Sequence, residues 1–151
     1  MPICYKIDPQ INLIFLMARG HCTASELFSF DAETWNHPLR KSNMRIMINL
    51  LDCDLDVDMK GIKNAISRNR ELNSTGWELE KTAIVTHSFL LETFSKTYEL
   101  MANDLPVKIK VFHSVNASLG WLDLYQHQAI VHNIDEELRQ QLTGSHPDLD
   151  R

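Results

Sequence analysis

The sequence contains few of the residues that mark special classes of protein. Its 151 residues include three cysteines, five glycines and five prolines. Cys4, Cys22 and Cys53 form no C-x-x-C pair, which argues against a disulfide framework and against a zinc ribbon. So little glycine and proline excludes collagen-like and low-complexity chains. We therefore expect one globular domain with reduced thiols, since a chain of this length can bury a core of its own.

Positive charge and long apolar runs are also scarce. Fifteen Lys and Arg against twenty Asp and Glu give a net charge of -5, so the attraction to nucleic-acid phosphates is missing overall. The longest apolar run, Leu13–Ala18, is far shorter than the roughly 20 residues that span a bilayer. The N-terminus shows no basic segment followed by a signal-peptide cleavage site. These features predict a cytoplasmic protein with no transmembrane segment and no nucleic-acid partner.

The N-terminal part of the chain has the pattern of a β-hairpin. Two β-prone runs, Cys4–Asp8 and Ile11–Ala18, are separated by a short turn that begins at Pro9. Gly20 is expected to end the second strand. A helix start follows, because Thr23 and the glutamate three residues later match a capping box. That helix is predicted to run from residue 24 to residue 37.

The rest of the chain alternates between strands and helices. Further strands are predicted at Ile46–Leu51, Thr82–Thr86 and Val107–Phe112, with helices starting at Asp58, near Leu91 and at Ser114. Helix-length segments between strands are typical of right-handed βαβ crossovers. The predicted fold class is α/β, with a mixed five-stranded sheet, an N-terminal antiparallel hairpin and about four helices. Lys108 and Lys110 alternate with apolar residues, as expected of an edge strand.

The chain becomes more polar after Leu124. Only Ile134, Leu138 and Leu142, at i, i+4 and i+8, indicate a further short helix. We therefore divide the chain into a domain over residues 1–124 and a C-terminal extension over residues 125–151, with a short helix and a flexible end. The extension is expected to pack either on the domain or on a second subunit.

Several segments carry a family resemblance. They are the Gly-His-Cys-Thr helix start, the apolar strand that ends at Asp52, the Lys-Thr-Ala-Ile-Val-Thr strand, and a closing strand with Phe112, Ala117 and the Trp121-Leu122 pair. Together they resemble the bacterial SpoIIAA-like proteins of the STAS superfamily. The resemblance covers Tyr5 to Leu122, and it implies a fold related to the SEC14 (CRAL-TRIO) lipid-binding domains. Fold alone does not carry a function.

The resemblance also implies a phosphorylated Ser or Thr just after the third strand, which breaks a complex with a partner protein. The range Ile46–Ile66 contains no Ser, Thr or Tyr, so that switch is excluded here. An acidic loop that imitates permanent phosphorylation is one hypothesis. A cation-binding loop is another, but the EF-hand spacing fails. The structural alternative is a carboxylate at the strand end and a helix-starting aspartate. The acidic residues are Asp52, Asp54, Asp56 and Asp58.

Three residues suggest a catalytic or metal site. His87 and His113 each follow a strand, and with Asp52 they are expected along the carboxyl edge of the sheet, where α/β folds bind ligands. Two imidazoles and a carboxylate are suitable ligands for a transition metal. Histidines at such junctions more often hydrogen-bond backbone groups, so we expect no cofactor. His21 and the next residue, Cys22, point to opposite faces of an extended segment, so no thiol enzyme is expected.

The remaining residues that could form a binding site are apolar and aromatic. The relation to lipid-binding domains implies an apolar pocket with candidate residues Phe28, Phe94, Tyr98 and Trp121. A homodimer face is the more common use of such residues. The sequence thus predicts a non-catalytic regulatory module that forms a homodimer and binds a protein partner. Two alternatives stay open: binding of an apolar small molecule or lipid in a SEC14-like pocket, and a metal-dependent hydrolase.

Overall fold

The structure is a computed structural model, and it describes residues 3–74, 76, 81–105 and 108–143. Its strands form a single sheet, and helices connect most of them along the chain. Its strands are β1 (Ile3–Asp8), β2 (Leu13–Thr23), β3 (Arg45–Asp56), β4 (Lys81–Val85) and β5 (Lys108–Phe112). Its helices are α1 (Ala24–Thr34), α2 (Met59–Ser74), α3 (Phe89–Met101), α4 (Val115–Leu119) and α5 (Gln128–Thr143), with a 3-10 turn at Tyr125–His127. None of the helices in these ranges is long and apolar enough to cross a bilayer.

The sheet is mixed, as the sequence predicts. Its strands lie in the order β1-β2-β3-β4-β5, with β1 antiparallel to β2 and every later pair parallel. The capping box is also confirmed. Thr23 Oγ1 accepts the Glu26 N–H at 3.1 Å, and Glu26 Oε1 accepts the Thr23 N–H at 3.0 Å. Lys108 and Lys110 are exposed on the edge strand β5. These features are local, which is why a sequence pattern can predict them.

Strands β2 and β3 are longer than predicted. β2 does not end at Gly20, which takes a left-handed φ of +75° and lets the strand continue to Thr23. β3 continues through the acidic residues to Asp56, where a loop was expected. Among the described residues, the last residues of both strands pair only with each other, because the pairing of β1 with β2 ends at Ala18 and that of β3 with β4 ends at Asn49. They form a parallel arm that projects beyond the rest of the sheet.

A β-bulge precedes the arm and changes the direction in which the side chains of β3 point. β3 has one residue more than β2 between the pairs Met17–Asn49 and Arg19–Asp52. Asn49 stabilises this bulge, because its Oδ1 accepts the Leu51 N–H at 3.0 Å. Beyond the bulge, acidic and apolar residues alternate with a period of two, and the acidic side chains share one face.

Helix α5 covers one face of the sheet. Its apolar stripe, Val131, Ile134 and Leu138, packs in the same core as Phe15 and Met47 of the central strands. The predicted short helix is therefore a helix of 16 residues, starting at Gln128 rather than near residue 134. The flexible end predicted for the chain falls on residues 144–151, which lie outside the described residues.

Helices α1, α2 and α3 cover the opposite face of the sheet. α1 ends at Thr34, three residues earlier than predicted, and α2 begins at Met59 directly after Asp58. The apolar contacts on this side are divided among smaller clusters, in which Leu27 of α1, Ile62 of α2 and Leu91 of α3 are buried. The space between these clusters is the candidate site.

Candidate functional site

An apolar cavity of about 170 Å³ lies between the sheet and helices α1, α2 and α3. Its sheet side is formed by Leu16, Ile46, Ile48, Leu50, Ile84 and Ile109, and its helix side by Leu27, Ile62, Ala65, Leu91, Phe94 and Tyr98. Ile46, Ile48 and Leu50 are alternate residues of β3, since a strand points every second side chain to the same face. On α3 they are three and four residues apart, which places them on one face of that helix. The cavity is thus built from several distant segments of the chain.

The structure separates the four candidate pocket residues. Phe94 and Tyr98 both line the cavity. Trp121 lies on the other face of the sheet, where its ring is 5.8 Å from that of Phe112 and its carbonyl accepts Lys81 Nζ at 2.9 Å. Phe28 lies within α1, but its side chain is outside the described part of the chain. The resemblance pointed to aromatic residues and missed the aliphatic strand residues, which stand in a nearly continuous apolar run that does not show which of them face the cavity.

A neutral polar group lies within the cavity wall. Tyr98 is buried, and its hydroxyl oxygen accepts a short hydrogen bond from Asn69 Nδ2 of α2. Burial raises the pKa of the Tyr98 phenol, because it disfavours the charged phenolate. The phenol therefore stays neutral and can donate its own O–H to a neighbouring acceptor.

A buried cation lies in the wall near α1. Arg40 Nη1 donates to Thr34 Oγ1 at 2.6 Å, and the guanidinium stacks 3.8 Å from the centre of the Trp35 ring. Asp31 Oδ1 is 3.8 Å from the same Nη1. Burial lowers the pKa of Arg40 to about 10, so the group remains cationic at neutral pH. Sequence reasoning missed this arginine, because nothing local distinguishes it from an exposed one.

The acidic residues do not form the expected loop. Asp52, Asp54 and Asp56 are exposed residues of β3, on the arm it forms with β2. His21, across the arm, brings Nε2 to 3.1 Å from Asp56 and Nδ1 to 3.6 Å from Asp54. Arg139 of α5 pairs with Asp52 at 2.8 Å. These carboxylates are therefore exposed on a strand, where they lie beside His21 and Arg139.

Asp58 has a separate, structural role. Its Oδ1 accepts the Gly61 N–H at 2.8 Å, in the first turn of α2. This contact satisfies one of the amides that a helix start leaves without an intrahelical partner. The structural alternative for this aspartate is thus confirmed.

The structure does not bring Asp52, His87 and His113 together. His113 Nδ1 hydrogen-bonds the Thr86 carbonyl oxygen at 2.9 Å, and its Nε2 lies 3.9 Å from Glu92. Asp52 lies within β3 and is paired with α5, so the expectation that it ends the strand is wrong. Among the described residues, no three His, Cys, Asp or Glu side chains form a group that could hold a metal ion.

The cysteines lie in apolar surroundings. Cys22 is fully buried on one face of the arm, whereas the adjacent His21 is exposed on the other face. Burial raises the pKa of Cys53 to about 12 and that of Cys4 to about 11, and it also raises the pKa of Cys22. A thiol with a raised pKa is a weak nucleophile, because only the thiolate reacts.

Alkylation tests the chemical state of these thiols. At pH 8, iodoacetamide is expected to modify Cys53 at least about a hundredfold more slowly in the folded protein than in urea, because the thiolate fraction is far smaller. The reaction should accelerate as the pH rises towards the raised pKa. Mass spectrometry of digested samples measures the rate at each cysteine. Equal rates with and without urea would contradict the burial of this thiol.

The arrangement of elements is similar to that of a solved structure. A crystal structure of an uncharacterised protein of the DUF3478 family from Shewanella loihica PV-4, with a SpoIIAA-like fold, matches this chain with a TM-score of 0.52. The two are 17% identical, and the match covers 80% of this chain and 93% of the other. No protein-family model and no curated protein matches the chain. The likeness shows the fold alone: the chain has a SpoIIAA-like fold.

Proposed function

We propose that this protein is a non-catalytic binding module that holds a small apolar molecule in the cavity between the sheet and helices α1, α2 and α3. The cavity itself is the observation that carries the proposal. Its position between helices and sheet agrees with the SEC14-like pocket that the family resemblance implies. Binding of a small molecule then takes the place that the sequence first assigned to a protein partner.

The size and the walls of the cavity support this function. A dry engineered cavity of about 150 Å³ lined by Leu, Ile and Phe binds benzene, and this one measures about 170 Å³. Its walls are mostly aliphatic and aromatic side chains, with a few polar groups at fixed positions. That combination is typical of small-molecule sites, in which apolar contact gives affinity and polar groups give orientation.

The polar residues that line the cavity favour ligand binding over catalysis. Of the described lining residues, Asp31 is the one carboxylate, and none is a histidine or a cysteine. General acid-base or nucleophilic catalysis most often relies on such groups to accept or donate the proton. The cavity instead offers amide, hydroxyl and guanidinium groups, which orient a ligand.

Replacing Phe94 with aspartate tests the proposed function. A charge in the apolar wall is expected to weaken binding of the neutral dye N-phenyl-1-naphthylamine by about tenfold or more, because the carboxylate loses its hydration. Titration of dye fluorescence measures the affinity. Phe89→Asp is the matched control, since Phe89 lies on the same helix but is 79% exposed. It should leave the affinity unchanged.

A second variant separates loss of the cavity from loss of the fold. Ala65→Leu adds no charge and narrows the cavity from the α2 side, so it should also lower the dye affinity while circular dichroism stays unchanged. If the unaltered protein binds neither the dye nor any neutral alcohol, the proposed function is wrong.

The outer face of α3 favours a second candidate function, an interface with a protein partner or a second copy. Phe89, Leu90 and Leu100 are large apolar residues exposed on that helix. Phe89 and Leu100 are eleven residues apart, about three turns, and so share one side of it. Exposed apolar groups of this kind often mark interaction surfaces. Native mass spectrometry reports both subunit number and any co-purified small molecule.

A further inference from the structure

The arm has an open edge on its β3 side. Among the described residues, no strand lies there beside the segment Asp52–Asp56, because β4 pairs with β3 only as far as Asn49. Within the same part of the chain, the segment pairs with β2 and with no other backbone. An edge of this kind presents N–H and C=O groups that another strand can pair with. The arm can therefore accept a further strand.

The carboxylates of the arm are open to a partner. The side chains of Asp54 and Asp56 are 87% and 68% exposed, although His21 of β2 lies beside both. With Asp52 they occupy every second position of the strand, so all three point to one face of the sheet. That face is the one covered by α5, because Asp52 pairs with Arg139 of this helix.

Strand β5 has the complementary charge pattern. It is an edge strand, and its Lys108 and Lys110 are exposed at alternate positions. They also point to the face covered by α5, because Ile109 between them lines the cavity on the opposite face. Two β5 strands side by side would bring lysines together, whereas β5 beside the arm brings lysine to aspartate. The lysines therefore disfavour one strand partner and favour the other.

We infer that the partner of the arm is a second copy of this chain, whose β5 pairs antiparallel with β3. Lys110 then lies opposite Asp54, and Lys108 lies opposite Asp56. The five residues of β5 match the length of Asp52–Asp56. Both free edges lie on the same side of their strands, so a two-fold rotation about an axis perpendicular to the sheet forms two equivalent contacts. The dimer is closed, and it does not depend on what the cavity binds.

The position of Phe89 supports this arrangement. Phe89 is the first residue of α3, and it is 79% exposed. Its ring centre is 6.5 Å from that of His113, which directly follows β5. It therefore lies at the carboxyl ends of β4 and β5, and in the dimer these ends of the two copies face each other across the axis. Two exposed aromatic rings are thus removed from water near the centre of the contact, which stabilises it.

Charge reversal in the full chain tests the dimer. The unaltered chain is expected to show twice the mass of one chain in sedimentation equilibrium at about 100 µM. Asp54→Lys and Lys110→Glu should each raise the Kd of the dimer by about tenfold or more, because each places like charges opposite each other in both contacts. Lys41→Glu is the matched control, since this exposed lysine precedes β3, at the end of that strand remote from the arm. It should leave the Kd unchanged.

Mixing the two variants separates a lost contact from a lost fold. In an equal mixture, the introduced lysine faces the introduced glutamate in one contact, and Asp54 faces Lys110 in the other. The mixture should therefore dimerise about as tightly as the unaltered chain, although each variant alone does not. A variant that had lost its fold would not be rescued by the other.

Three results would overturn the inference. The first is an unaltered chain that stays monomeric. The second is a dimer that both charge reversals leave intact, which would place the contact on another surface. The third is a mixture of the two variants that stays monomeric. None of these results changes the expected dye affinity, so the proposed function is tested separately.

Discussion

A chain cut after Leu124 is expected to lose cooperative folding. The cut removes α5, whose Val131, Ile134 and Leu138 are buried in the core on one face of the sheet. Burying each such side chain contributes about 1.5–3 kcal/mol, while the whole domain is stable by only about 5–15 kcal/mol. Urea titration followed by far-ultraviolet circular dichroism measures the effect. A sigmoidal transition in the shortened chain would show that residues 125–151 are dispensable.

A single substitution in α5 tests the same packing with a smaller loss of stability. Leu138→Ala should lower the free energy of unfolding by about 2–5 kcal/mol, because Leu138 has no exposed surface and its removal leaves a cavity. Ile130→Ala is the matched control on the same helix, since Ile130 is 37% exposed. It should cost less than about 1 kcal/mol. Equal effects of the two variants would mean that α5 does not pack on the sheet as described.

The second large effect is expected from Asn49→Asp. Asn49 is 2% exposed, and its Nδ2 donates to Asp135 Oδ1 of α5 at 2.8 Å. The substitution replaces this donor with a carboxylate that faces another carboxylate. We expect a loss of about 2–4 kcal/mol at pH 7, measured by urea titration. Part of the repulsion is offset by Arg139, whose Nη2 lies 3.2 Å from Asp135.

The sign of the pH dependence follows from the buried charge. Burial and the like charge of Asp135 raise the pKa of the introduced carboxyl above its unfolded value of about 4. The folded variant then binds more protons than the unfolded chain, so its stability falls as the pH rises from about 4 to 7. The reciprocal double variant, Asn49→Asp with Asp135→Asn, restores one donor and one acceptor. It should recover most of the stability, and a double variant as unstable as the single one would contradict the contact.

The sequence showed the asparagine but not its role. Asn49 is the one polar residue in the apolar run Ile46–Leu51, and nothing in that run identifies its partner. The partner, Asp135, is 86 positions away. A contact at that separation depends on how α5 crosses the sheet, and no local pattern reports it. The β-bulge beside it was missed for the same reason, because an extra residue exists only relative to the paired strand.

The acidic residues show that the predicted end of β3 was wrong. Asp52, Asp54 and Asp56 alternate with apolar residues, and that period of two is typical of a half-exposed strand. The family resemblance favoured a loop at this place. The structure extends β3 because β2 also continues past Gly20 and supplies a partner for it. Strand length was therefore decided by pairing.

The sequence by itself determined the order of the elements, the N-terminal hairpin, the capping box at Thr23 and the lysine-bearing edge strand. Turns, caps and periodicity act over a few residues, so they can be read directly from the chain. Only the tertiary structure decided the cavity, the burial of Arg40 and the place of Trp121 on the opposite face. Each of these depends on which faces of distant segments meet, because burial arises only when the sheet and its helices have packed together.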